Sequence, residues 1–152
     1  MANVERTIGG QVRSIALERQ VLDGILGGLA GGVVFGIMMT MMGFLPMIAG
    51  LVGSQSAVVG LMVHMVISAG IGASFGLVLG RSASSLVGYL GLGVVYGAIW
   101  WILGPLTVMP ILLGMGPQWS IAAAIASLPS LMGHLIYGAV AGVAYSLLAP
   151  RS

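Results

Sequence analysis

The sequence predicts an all-α integral membrane protein in which four transmembrane helices form two tandem parallel helical-hairpin repeats. Hydrophobic residues make up 59% of the 152-residue chain and charged residues 5%, and the mean hydropathy is +1.13. These values lie outside the range of soluble domains. Four apolar stretches, residues 21–45, 57–79, 86–108 and 120–148, each reach the about 20 residues that cross a bilayer as a helix.

A repeated segment predicts the hairpin arrangement. The stretch LMVHMVISAGIGASFGLV around His64 has a counterpart, LMGHLIYGAVAGVAYSLL, around His134, and GVVFG from Gly32 has a counterpart, GVVYG, from Gly93. Such self-similarity indicates a duplicated unit, here a span, a loop and a second span. Because each unit has two spans, both have the same orientation, and we expect a pseudo-twofold axis along the bilayer normal.

The N-terminal segment, residues 1–20, precedes the two hairpins, residues 21–79 and 86–148. Its apolar residues recur at helical spacing opposite several arginines, a pattern that predicts an amphipathic helix lying on the cytoplasmic leaflet. The alternative is a solvated tail whose arginines only set the topology. Span one is expected to open with Asp23, where a carboxylate would meet the positive end of the helix dipole.

Charge position predicts the orientation. The eight charged residues are Glu5, Arg6, Arg13, Glu18, Arg19, Asp23, Arg81 and Arg151. Because Lys and Arg resist translocation, both termini and the loop containing Arg81 should lie in the cytoplasm, and the two uncharged loops outside. The net charge of +2 is too small to indicate a nucleic-acid partner, whose phosphates would require many cations.

Small residues recur at four-residue steps along the spans. In lipid, such stripes let helix backbones approach closely and pack by van der Waals contact. The predicted packing residues are Gly28, Gly32, Gly36, Ser68, Gly72, Gly76, Gly93, Gly97, Gly138 and Gly142.

His64 and His134 each head one of these ridges and are the candidate cofactor ligands. Ionisable side chains inside a membrane indicate function by default, and the pair could serve as axial ligands of haem b or of a chlorin. The outer end offers no cation for haem propionates. The alternatives are neutral imidazoles hydrogen-bonded across helices, to Ser68, Tyr137, Ser130 or a backbone carbonyl, and a proton or ion relay.

Catalysis is not expected. The chain has no cysteine, its three carboxylates lie near the N-terminus, and no nucleophile is paired with a base. We therefore predict no enzyme and no protein-bound metal ion.

The motif GHLIYG from Gly133 to Gly138, followed by GVAY from Gly142, resembles a widespread family of small four-span membrane proteins of bacteria and archaea without an assigned activity. The resemblance covers most of residues 21–148. It implies a prokaryotic plasma membrane as the location and a recurring structural role for the motif. The first repeat departs from it, with Val63 and Ser68 at the positions of the motif's two glycines.

Three functions follow as expectations. The first is a non-enzymatic packing or accessory subunit of a larger respiratory or photosynthetic membrane assembly, with the bilayer and other membrane subunits or a second copy as partners. The second is a tetrapyrrole-binding electron-transfer or pigment protein that uses His64 and His134. The third is a small transporter or channel.

Overall fold

A computed structural model describes residues 2–149, with side chains from residue 14 onward, and this part of the chain is helical without any strand. The helices are α1 (Ala2–Met42), α2 (Leu45–Ala49), α3 (Ala57–Leu79), α4 (Leu86–Leu103), α5 (Met109–Leu112), α6 (Ile121–Ala126) and α7 (Leu128–Leu148). A 3-10 turn, Gly50–Val52, follows α2, and a π-helical turn, Gly104–Val108, joins α4 to α5.

Four stretches are long and apolar enough to cross a membrane: Ser14–Met42, Ala57–Leu79, Leu86–Leu112 and Leu128–Leu148. An all-helical chain with four candidate spans is therefore confirmed. The third stretch continues beyond the expected residue 108, because the π-helical turn carries the helix into α5. The fourth begins later than residue 120, because α6 is a separate short helix and Pro129 lies in the first turn of α7, where proline is well tolerated.

The start of span one differs from the expectation. Helix α1 begins at Ala2 and continues through residue 20 without a break, so Asp23 lies many turns from the positive end of the helix dipole, whose effect is confined to the first turn. The side chains of residues 1–13 lie outside the described residues. The amphipathic face predicted for residues 1–20 stays a prediction.

The first hairpin is held together by backbone contact between α1 and α3. A Cβ atom added to Gly28 would overlap the carbonyl oxygen of Ser68 and lie 2.6 Å from the Cα of Gly72. One added to Gly32 would lie 2.6 Å from the Cβ of Ser68, and one added to Gly76 would overlap the carbonyl of Gln20. Only glycine permits this approach, so the predicted packing face on α1 and α3 is in direct contact.

Helices α4 and α7 form the second hairpin by a similar contact. Added Cβ atoms on Gly93 and Gly97 would overlap the carbonyl oxygens of Gly138 and His134, and one on Gly142 would overlap the carbonyl of Tyr89. The predicted glycines of these two spans therefore also lie in a helix interface.

A second glycine row on α1 joins the two hairpins. A Cβ atom on Gly27 would lie 2.8 Å from the carbonyl oxygen of Ala141, and one on Gly31 would lie 2.6 Å from that of Tyr137. Helix α1 thus packs against both α3 and α7, whereas α3 and α4 have no comparable backbone contact. The hydroxyl of Tyr96 on α4 spans that gap, 2.6 Å from the Oγ of Ser74.

We predict that Gly72→Ala lowers the free energy of unfolding by about 1–3 kcal/mol, the usual cost of overpacking, because its Cβ would overlap the backbone of α1. The measurement is unfolding of the detergent-solubilised protein with increasing SDS. Gly70→Ala is the matched control on the same helix, since nothing lies within 4 Å of a Cβ there. Equal destabilisation by both substitutions would contradict the proposed interface.

Candidate functional site

A cavity of about 630 Å³ lies among α1, α3, α4 and α7, toward the loops that follow spans one and three. We call it the histidine cavity, because both His64 and His134 line it. Its remaining walls are largely aliphatic and aromatic. The polar lining residues are His64, Ser68, Trp100, Gln118, Ser127, Ser130, His134 and Tyr137. A mostly apolar cavity with a few convergent polar groups is the usual form of a small-molecule site.

The π-helical turn forms one wall of the histidine cavity. Pro105 has no backbone N–H, so the regular α-helical hydrogen bonds cannot continue through it. The hydroxyl of Thr107 donates to the carbonyl of Ile102 at 2.7 Å, which satisfies an acceptor in this irregular region. Gly104 and Pro105 line the cavity, and π-helical turns occur frequently at functional sites.

His64 is buried in the interface between α3 and α1. Its Nε2 lies 2.9 Å from the carbonyl oxygen of Gly32 and 3.5 Å from the Oγ of Ser68. Since a carbonyl oxygen only accepts, Nε2 carries the proton in this hydrogen bond. His64 therefore makes an interhelical hydrogen bond of the kind considered as an alternative to cofactor ligation.

His134 has a different arrangement. Its Nδ1 lies 2.7 Å from the carbonyl oxygen of Ser130, one turn earlier on α7, so Nδ1 donates and Nε2 has a free lone pair. Nε2 has no hydrogen-bond partner among the side chains and backbone of residues 14–149. It lies on the side of Gly104, where an added Cβ would be 3.8 Å away.

Phe35 on α1 packs against both histidines. Its ring packs edge-on against both imidazoles, with centroid distances of 5.4 Å to His64 and 4.9 Å to His134. Gly133 provides the space for this ring, because any Cβ there would overlap it. One ring on α1 thus contacts both imidazoles that line the cavity.

Tyr137 links the second hairpin to the first across the cavity. Its hydroxyl donates to the carbonyl oxygen of Ser68 at 2.8 Å, and its ring is buried. From the sequence, Tyr137 was expected only as a hydrogen-bond partner of a histidine. In the structure, its hydroxyl instead donates to a backbone carbonyl of α3.

Of two buried side chains, one was not singled out from the sequence and the other was misplaced. Phe35 occupies the aromatic position of GVVFG, which matches Tyr96 in GVVYG, and this shared ring position was the available signal. Asp23 was expected at a helix start, and is instead buried within α1 with 8% of its surface exposed.

Each of the two imidazoles keeps one ring nitrogen without a hydrogen-bond partner among residues 14–149, namely Nδ1 of His64 and Nε2 of His134. Within residues 14–149, no three His, Cys, Asp or Glu side chains lie close enough to hold a metal ion. This arrangement suits a metal that brings its own in-plane ligands and needs one axial donor. Comparison with protein-family models, with curated proteins and with solved structures finds no match.

We predict that Tyr137→Phe lowers the free energy of unfolding by about 0.6 kcal/mol, the average for interhelical hydrogen bonds in a membrane protein, and by no more than about 1.7 kcal/mol, their maximum, since it removes only the hydroxyl. SDS-induced unfolding measures the loss. Tyr145→Phe should cost less, because its hydroxyl lies 3.3 Å from the Gly80 carbonyl, which Tyr89 already contacts at 2.7 Å. The reverse order of the two losses would contradict the role given to Tyr137.

Proposed function

We propose that this chain is a non-enzymatic, multi-pass membrane subunit that holds a metal tetrapyrrole in the histidine cavity, with His134 as its axial ligand. The observation that carries the proposal is the free Nε2 of His134, which borders the cavity while Nδ1 is fixed by the Ser130 carbonyl. Metal-ligating histidines almost always donate their other ring N–H to a carbonyl, a carboxylate or water.

The cavity supports the same assignment by size and lining. A volume of about 630 Å³ is within the about 300–1,000 Å³ common for ligand sites. Aromatic and aliphatic walls such as Phe35, Leu106 and Trp100 suit the apolar faces of a macrocycle. In this proposal His64 contributes to the wall of the cavity, because its hydrogen bond to Gly32 and its contact with Gly36 hold it in the interface between α1 and α3.

The absence of charged side chains from the lining of the histidine cavity indicates which kind of tetrapyrrole fits it. The chain's five cationic side chains lie at residues 6, 13, 19, 81 and 151, and none of the residues lining the histidine cavity is charged. Free propionates of haem b would lack the charge-assisted hydrogen bonds that usually hold them. A chlorin or another tetrapyrrole with esterified side chains fits this lining better than haem b.

A second candidate is a packing or accessory subunit of a larger assembly without a ligand of its own. Gly70 on α3 and Gly91 on α4 are exposed, with nothing within 4 Å of an added Cβ. Small residues on a lipid-facing surface let another helix approach closely. Most other glycines of the spans already pack against atoms of this chain, so this candidate function depends on Gly70 and Gly91.

The duplication is also part of the proposal. The pairs Gly32 with Ser68 and Gly93 with Gly138 occupy equivalent repeat positions, and both pairs are in contact. Gly36 lies against His64, as Gly97 lies against the backbone of His134. These equivalent contacts support two parallel hairpin repeats. The resemblance of the GHLIYG motif to small four-span prokaryotic proteins supports a plasma-membrane location.

For the orientation, we expect both termini and the loop containing Arg81 in the cytoplasm. Because the chain has no cysteine, single-cysteine variants can be labelled without background. Gln55→Cys should react with a membrane-impermeant maleimide in intact cells, and Ser84→Cys only after the membrane is opened. Both positions are exposed. The opposite labelling pattern would reverse the orientation.

For the ligand, we expect the purified protein to bind zinc protoporphyrin dimethyl ester, with a red-shifted Soret band from one axial nitrogen. His134→Ala should weaken binding at least about tenfold, equivalent to about 1.4 kcal/mol, and abolish the shift. His64→Gln is the matched control and should retain both. Zinc protoporphyrin with free propionates should bind more weakly than the ester. Undiminished binding and shift in His134→Ala would refute the assignment.

A further inference from the structure

A wide cleft of about 1,100 Å³ lies at the opposite end of the bundle, where α1, α7 and the turn from α3 to α4 meet. We call it the charged cleft. Three of the four charged residues within 14–149 line it, namely Arg19, Asp23 and Arg81. The fourth, Glu18, lies outside it. The charged cleft shares no lining residue with the histidine cavity.

Asp23 lacks the partner that its burial requires. Only 8% of the residue is exposed, and its Oδ2 is buried without a hydrogen-bond partner. Neither Arg19 nor Arg81 forms an ion pair with it in the described part of the chain. A buried carboxylate without a donor is costly, and an ionisable side chain in a membrane span indicates a functional site. The Oδ2 of Asp23 therefore lacks a hydrogen-bond donor among the described residues.

Two tyrosine hydroxyls that line the cleft together with Asp23 already donate to another group. Tyr89 and Tyr145 line the cleft, and both hydroxyls donate to the carbonyl of Gly80, at 2.7 and 3.3 Å. While a tyrosine hydroxyl makes this hydrogen bond, its oxygen acts only as an acceptor. A carboxylate and two phenolic oxygens thus favour a cation with several N–H groups. A primary ammonium has three.

The two arginines provide the opposite charge at the mouth of the cleft. Arg19 and Arg81 are exposed, whereas Asp23 is buried. Guanidinium groups bind phosphate through paired hydrogen bonds. The cleft therefore has an anion inside and cations outside, which is complementary to a zwitterion that inserts its ammonium and leaves its phosphate at the rim.

We propose that the charged cleft binds the headgroup of a phospholipid with a primary amine, with Asp23 holding the ammonium and Arg19 and Arg81 the phosphate. The cleft lies at the ends of spans one, two, three and four, at the level where headgroups meet the helices. Leu86, 44% exposed beside it, offers apolar surface for the start of an acyl chain. Quaternary amines fit poorly, because they have no N–H to donate.

The test is lipid retention by the full chain. The protein is reconstituted in nanodiscs with equal amounts of phosphatidylethanolamine, phosphatidylcholine and phosphatidylglycerol, re-extracted in mild detergent, and its retained lipids are quantified by mass spectrometry. We expect enrichment of phosphatidylethanolamine over both others. Asp23→Asn should reduce this enrichment about tenfold, the usual effect of losing a hydrogen bond to a charged group. Glu18→Gln, the same charge change at an exposed site on α1, should leave it unchanged.

Two further experiments test whether the ligand needs N–H groups and whether it is a lipid or a soluble molecule. In the unaltered protein, retention should fall stepwise from phosphatidylethanolamine through its N-methyl and N,N-dimethyl forms, which tests the N–H requirement even if Asp23→Asn does not fold. Arg81→Gln should lower retention of phosphatidylethanolamine. Displacement by free O-phosphoethanolamine at millimolar concentration would assign the same chemistry to a soluble ligand and overturn the lipid assignment. Equal retention of all three lipids, or no loss in Asp23→Asn, would overturn the site.

Discussion

Close backbone contact at glycine is the constraint on which this fold depends. In lipid, apolar side chains gain little by meeting one another, so helices associate through van der Waals contact at short range. Helix α1 carries two glycine rows, one facing α3 and one facing α7, and so connects the hairpins. Gly32 shows the link to function, because its missing side chain admits Ser68 while its carbonyl oxygen accepts the hydrogen bond from His64.

His64 and His134 belong to matching sequence segments but have unequal surroundings. His64 lies in the interface of α3 with α1, where it donates to Gly32, whereas His134 donates to Ser130 within its own helix. Phe35 fills the space next to both imidazoles because Gly133, at the position of Val63 in the first hairpin, leaves room for it. Each histidine keeps one ring nitrogen, Nδ1 of His64 and Nε2 of His134, without a partner among residues 14–149.

The spans and their packing faces could be predicted from the sequence because hydropathy and four-residue spacing are local properties. The separation of α3 from α4 could not be predicted from the sequence. It depends on the packing of α1 against α7, and the local sequence patterns of α3 and α4 do not indicate that contact. The π-helical turn at Pro105 and the position of Phe35 depend on tertiary contacts in the same way. Asp23 was misplaced for a local reason: the hydropathy pattern marks where a span becomes apolar, whereas the helix itself begins at Ala2.

The lining of the histidine cavity includes residues of the outer surface of the bundle. Ile67 on α3 and Val108 in the π-helical turn line the cavity and are also exposed. With the four candidate spans in a bilayer, a molecule would reach the cavity by diffusion within the membrane rather than from water. Occupancy of the histidine cavity would then depend on the concentration of the ligand in the lipid phase. Only molecules soluble in the membrane would reach the side chains that line the cavity.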